Sequence, residues 1–363
     1  MAMLGKIKAW LNKGNNSLWT ATAALIALGT LSIYLLAPYQ EMRMNMPQGF
    51  FFGRYLPYLI FGIIMMIGCS RMSKKFMLRF SYILGGFSML LLVVSILQPH
   101  YIQGASRYVP IMGVNLNPYL LMLPAYIILM SNWLSKETTK NKKFWVWLGC
   151  SALTLFIVYA AIIAPYMSMA ATYIAVFFVL TVLTRKNLPM AFYTSITLGA
   201  GLFAAFAYGV LTIPHVHARL ADMMYGTSYM VQAAQNAIHS SGFIGSNPES
   251  LQAIAALPDV HTDLMFAGIV AKMGLLMGVL VLLLYIWTTA LIIKKTEHTS
   301  TFNKLMSYGV LTVFVLGYFG NMTTSIGGLQ YASYLPFMSC SWNALLSFCI
   351  MFGFLLATKV ETK

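Results

Sequence analysis

The chain has 363 residues, of which 59% are hydrophobic and 9% charged, with 23 Lys+Arg against 8 Asp+Glu and a formal charge of +15. A soluble domain carries about 25% charged residues, so an ordinary globule is excluded, and continuously apolar rather than alternating runs exclude a β-barrel. The positive charge does not point to nucleic acid, because it is scattered over short turns with no motif and no interleaved aromatics.

Apolar runs long enough to cross roughly 30 Å of hydrocarbon recur from end to end. They predict an all-α polytopic membrane protein of about ten transmembrane helices. In chain order the spans fall at about 17–38, 52–70, 77–98, 117–134, 144–163, 166–184, 190–213, 264–293, 305–322 and 335–357. The first is read as a retained span rather than a cleaved signal. The fourth is the weakest, interrupted by Pro118 and Pro124. The fifth and sixth share one apolar stretch, which divides at Ala164-Pro165. Cys69, Cys150, Cys340 and Cys349 fall in or at the ends of these runs without metal-ligand spacing, and read as small apolar fillers.

Basic residues set the orientation. Lys6, Lys8 and Lys13 precede span 1, Arg71 to Arg79 mark the 2–3 turn, and Lys136 to Lys143 the 4–5 turn. Arg185 and Lys186 follow span 6, Lys294, Lys295 and Lys304 flank the 8–9 turn, and Lys359 and Lys363 end the chain. Against these 18 stand 4 on the other side, Arg43, Arg54, Arg107 and Arg219, with Lys272 inside span 8. Both termini are therefore expected in the cytoplasm. The expected organisation is a cytoplasmic N-terminus at 1–16, one membrane domain at 17–357 with an extracytoplasmic loop at 214–263 between spans 7 and 8, and a cytoplasmic tail at 358–363.

That loop concentrates the chemistry. It holds Asp222, Glu249, Asp259 and Asp263, half of the 8 acids, and His215, His217, His239 and His261, four of the 6 histidines. Connections this long are usually functional or disordered. The helix-like pattern beginning Tyr229-Met230-Val231 argues for an ordered one. Asp263 stands where the chain enters span 8, and two readings are open. One is an N-cap on the positive end of the helix, a task Thr262 also suits. The other is an acid at a water-filled membrane cavity. Lys272 lies nine residues further on, roughly 13 Å at the helical rise. It needs a partner, a wet cavity, an anionic ligand or a route outward to water. Arg54, Arg107 and Arg219 suit phosphate by their fork geometry. His215 with His217, and His261 with Asp259, are weak metal candidates, so the metal is unknown. No GxxxxGK[ST], HExxH or GxSxG motif is present.

Several segments together resemble one family. Gly104-Ala105-Ser106-Arg107-Tyr108 before span 4, and Ala237-Ile238-His239-Ser240-Ser241-Gly242 in the long loop, resemble segments of the SEDS (shape, elongation, division and sporulation) family of FtsW/RodA glycosyltransferases. Leu257-Pro258-Asp259-Val260-His261-Thr262-Asp263 resembles its Leu-Pro-Glu-x-His-Thr-Asp signature, the most specific match. Leu335-Pro336-Phe337-Met338-Ser339 resembles the start of its last span.

The resemblance implies polymerisation of lipid II, a polyprenyl diphosphate-linked disaccharide peptide, on the outer face of the bacterial inner membrane. It implies a class B penicillin-binding transpeptidase as partner and Asp263 as the catalytic residue. Arg54, Arg107, Arg219, His261 and Lys272 would be substrate-binding, with a divalent cation (Mg or Mn) as a further candidate. There are departures. Ala164-Pro165-Tyr166 lacks the family's acid after span 5, Asn117-Pro118-Tyr119-Leu120 differs at span 4, and Ala271-Lys272-Met273-Gly274 replaces two glutamates with a lysine. A non-catalytic scaffold that recruits or regulates the transpeptidase is the alternative, and a lipid-linked sugar translocator a third reading.

Overall fold

The computed structural model describes residues 14–97, 106–111, 113–136, 140–184, 199–200, 229–297, 299–328 and 334–358. Among them the fold is helical, with one β-hairpin. The helices are α1 (Gly14–Arg43), α2 (Phe50–Ser70), α3 (Lys74–Leu97), α4 (Pro118–Ser135), α5 (Lys140–Ile163) and α6 (Met167–Leu183). They continue with α7 (Tyr229–His239), α8 (Pro248–Ala256), α9 (Met265–Met273), α10 (Leu275–Thr296), α11 (Thr301–Ser325) and α12 (Trp342–Ala357).

Seven of these are long and apolar enough to cross a membrane, and α6 and α12 are shorter apolar helices. Nine of the expected spans thus coincide with helices, and the seventh, at 190–213, lies almost wholly outside the described residues. The outer faces agree with a lipid environment. Ile60 and Ile64 on α2, and Ile83, Phe87 and Leu90 on α3, are exposed at helical spacing. In water such stripes would be aggregation sites; in a bilayer they face the solvent they match. The protein is a polytopic helical membrane protein.

Two compact units organise the chain. One comprises Met1–Met65, Asp222–His298 and Phe314–Cys349, the other Met66–Ala221, Thr299–Val313 and Ile350–Lys363. In the second unit α4 is the centre, packed against α3, α5 and α6. Every residue from Pro118 to Asn132 is buried. This helix is the shortest and least hydropathic of the seven long ones, as expected of the weakest span, but its prolines do not interrupt it. Pro118 occupies the first turn, where no N–H is needed, and Asn117 caps it by accepting from the N–H groups of Tyr119 and Leu120 at 3.1 and 3.3 Å. The apolar stretch does divide at Ala164-Pro165, between α5 and α6. The hairpin pairs β1 (Val109–Ile111) with β2 (Val114–Leu116), antiparallel, just before α4.

In the first unit α1 packs against α8, α9 and α10. The eighth span, expected as one helix, is two. It breaks at Gly274, whose φ of +93° favours glycine. The turn at Gly242–Gly245 crosses the break and its backbone bonds both halves. The Gly245 N–H donates to the Met273 carbonyl at 3.1 Å, and Leu275 and Leu276 donate to the Gly242 and Phe243 carbonyls at 3.0 and 3.1 Å. A Cβ at Gly274 would lie 2.8 Å from that turn's backbone, so no larger residue fits. The helix-like pattern at Tyr229 is a helix, α7.

Candidate functional site

Residues 257–264 join α8 to α9 without regular secondary structure, and the second half of this loop is tied from a distance. Within it, Asp259 adopts a left-handed φ of +46°, which aspartate tolerates better than most residues. Its carbonyl accepts from the Thr262 N–H at 3.0 Å and from the Thr262 hydroxyl at 3.3 Å. From α11, the buried Asn321 amide donates to the Asp263 carbonyl at 2.9 Å and accepts from the Phe266 N–H at 3.2 Å. From the segment before α12, the Ser339 hydroxyl donates to the Thr262 carbonyl at 3.0 Å, and the Cys340 N–H donates to the His261 carbonyl at 2.8 Å.

That segment is itself fixed. Ser339 Oγ accepts from the Leu335 N–H at 2.8 Å, and the Pro336 carbonyl accepts from the Tyr285 hydroxyl at 2.6 Å. Gly29 of α1 admits it closely: a Cβ there would meet the backbone of Phe337 and Met338. The Leu-Pro-Phe-Met-Ser and His-Thr-Asp stretches, 72 residues apart between Asp263 and Leu335, form one corner.

Neither Asp263 nor Thr262 stands at the N-cap position itself. The N-cap of α9 is Leu264, which makes no side-chain cap bond, and Asn321 serves the helix's first turn from another element. The Thr262 hydroxyl bonds back to Asp259 instead. Asp263 is half-buried at the positive end of a helix, where negative charge is favoured.

His261 is buried, and its ring centroid lies 4.5 Å from that of Phe51. Its Nδ1 has no hydrogen-bond partner among the described residues. Burial lowers the imidazole to about 4, against a smaller opposing pull from Asp259, so the ring is neutral at physiological pH. With Arg54, Tyr58, Cys340 and Trp342 it lines a cavity of about 160 Å³, in which Tyr58 stacks on Trp342 with centroids 5.5 Å apart. Arg54 and His261, picked from the sequence as separate candidates, thus share one cavity. Glu41, near the end of α1, fixes the start of the helix that carries Arg54. Its buried carboxylate accepts from the Gly49 and Phe51 N–H groups at 2.8 and 2.9 Å.

Lys272 sits in the last turn of α9, at the negative end of that short helix. Its ammonium donates to the Tyr39 hydroxyl at 2.8 Å and lies 5.1 Å from the centre of that ring. It has found a partner on α1 rather than a route outward. Arg107 belongs to the other unit, where its guanidinium lies over Tyr108 and Tyr166 at 5.5 and 5.3 Å. Arg219, His215 and His217 lie outside the described residues. Among those described, no three His, Cys, Asp or Glu side chains are grouped to hold a metal.

Sequence reasoning missed Asn321, Tyr39 and Glu41. Asn321 carried a signal, being an amide inside an apolar run, where unpaired polar groups are costly. Tyr39 carried none.

The FTSW_RODA_SPOVE family model, described as cell cycle protein, matches residues 15–363. The probable peptidoglycan glycosyltransferase FtsW of Thiomicrospira cyclica is 25% identical over 290 residues, covering 76% of this chain and 73% of that one. Among solved structures, a chain of a peptidoglycan synthase complex superposes with a TM-score of 0.75 at 18% identity, over 94% of this chain and 96% of that one. The rod shape determining protein RodA of Thermus thermophilus matches with a TM-score of 0.67 at 19% identity, over 94% and 95%. At such identities the structures show the fold alone.

Proposed function

The chain belongs to the FTSW_RODA_SPOVE family of cell cycle proteins, and from that premise we propose that it is a peptidoglycan glycosyltransferase. It polymerises lipid II into glycan strands at the outer face of the bacterial inner membrane, during cell division or elongation. Both termini then lie in the cytoplasm, and the 214–263 loop faces outward. A class B penicillin-binding transpeptidase is the partner that crosslinks the strands. The observation that carries the reading is the corner at 257–264. Two elements, α11 and the segment before α12, hold it at the His261, Thr262 and Asp263 carbonyls and at the Phe266 N–H that follows.

In this reading the Asp263 carboxylate accepts the proton of an acceptor sugar hydroxyl. That oxygen forms the new bond to the donor's anomeric carbon, and the bond from that carbon to the polyprenyl diphosphate breaks. One positioned base is enough when the leaving diphosphate is stabilised by fixed cations. Arg54 and Lys272, in the unit that carries Asp263, are assigned to that task. His261, neutral and wedged on Phe51, sets the angle of the loop and lends a ring nitrogen to the Arg54 cavity.

A second reading, the non-catalytic scaffold, is favoured by one observation: Lys272 is engaged by Tyr39 at a position where the family carries acids. The two separate in one assay. Purified protein with radiolabelled lipid II, alone and with a co-purified class B transpeptidase, is expected to yield strands. Stable partner binding with no strand under either condition would leave the scaffold.

A further inference from the structure

Helices α7 and α8 leave an open groove of about 370 Å³ between them. Helical spacing builds its walls. Tyr229, Gln232 and Asn236 follow one exposed face of α7, and Glu249 and Gln252 one exposed face of α8. The opposite faces bury Val231, Ala234 and Ala237 on α7 and Ile254 on α8. The groove face is therefore polar by pattern, and is not an unfilled part of the core. Its floor is Ala233 and Ala253, side chains too small to close it.

The lining has a definite chemistry. Primary amides place donors and an acceptor side by side, which matches sugar hydroxyls and acetamido groups. The Tyr229 ring is 60% exposed and offers an apolar face to the CH face of a pyranose. Its hydroxyl is anchored by donating to the Ala256 carbonyl at 3.1 Å, which also accepts from Arg43 at 3.0 Å. The groove also leads to the corner already described. Ala256, on its lining, precedes Leu257, and the chain runs directly from there into the loop that carries Asp263.

We propose that this groove binds the N-acetylated glycan strand and holds it while successive units are added. The strand's role in turnover rests on the polymerase reading; the ligand class rests on the groove alone. Strand affinity then governs how many additions precede release, so weakening it shortens products without slowing a single coupling.

The probe is N-acetylchitohexaose, titrated into the purified full chain in detergent and followed by saturation-transfer NMR. Wild-type protein and Asp263→Asn are expected to bind alike. The Gln232→Leu/Asn236→Leu double variant is expected to bind at least tenfold more weakly, as is Gln252→Leu on the facing helix, which also serves if the double variant fails to fold. Absence of binding by wild type, or undiminished binding by folded groove variants, overturns the proposal. Binding that follows expectation in a protein making no strand keeps the groove and sinks the polymerase reading instead.

Discussion

Around α4, three buried tyrosines place their hydroxyls within the helix packing. Tyr119 donates to the Ala160 carbonyl at 2.9 Å, Tyr173 to the Tyr119 carbonyl at 2.7 Å, and Tyr126 pairs with Thr154 at 2.7 Å. Around residues 257–264, Asn321 and Ser339 likewise bond buried side chains to backbone groups, but those groups belong to a loop. In the first region the bonds join helices that are already regular, so they close an interior and fix nothing beyond it. In the second they are what gives an irregular segment its place, and with it the place of a carboxylate. The same kind of bond serves stability in one unit and geometry in the other.

That contrast is open to attack, beginning where the effect should be largest after Asp263 itself. Asn321→Leu leaves the Asp263 carbonyl and the Phe266 N–H without their partner, at a cost of about 1–3 kcal/mol. It also releases the loop; a displacement of about 1 Å is worth up to a hundredfold in rate, so strand synthesis should fall by at least tenfold in protein that still folds. Rate and thermal midpoint, measured on one preparation, check it.

Acid is the next lever. The folded chain holds His261 neutral, with its pKa lowered from 6.5 to about 4. Its contribution to stability is therefore complete above about pH 6.5 and is lost as pH falls, by about 3 kcal/mol at pH 4. His261→Phe keeps a ring against Phe51 and removes that loss. The variant's thermal midpoint should drop less than the wild type's between pH 7 and pH 4.

The smallest effect belongs to the other unit. Tyr126→Phe removes one neutral hydrogen bond, worth about 1 kcal/mol. It should lower the midpoint while leaving the rate of strand synthesis unchanged. A rate loss as large as that of Asn321→Leu would erase the distinction between the regions.

What the sequence disclosed follows the same line. Spans were legible because hydrophobic length is a local property, and the division at Ala164-Pro165 because proline acts on its neighbours. The cap at Asn117-Pro118 was also local, yet its proline was read as an interruption rather than a start. The break at Gly274 was hidden. A glycine in an apolar run is ordinary, and only the turn at Gly242–Gly245, about thirty residues earlier, makes this one a break. The corner was half legible. His261, Asp263 and Ser339 lay in short stretches with a family likeness, whereas the amide that holds the loop stands 58 residues beyond Asp263. Contacts at that range leave no mark in local pattern.

The central claim is that Asp263 does the chemistry. The most direct measurement is the initial rate of lipid II polymerisation by Asp263→Asn, which keeps the side chain's shape and removes its charge, beside wild type and with the transpeptidase partner bound to both. The account predicts a loss of about 10²–10⁴-fold with partner binding and thermal midpoint unchanged. An Asp263→Asn protein that makes strands at the wild-type rate would contradict it.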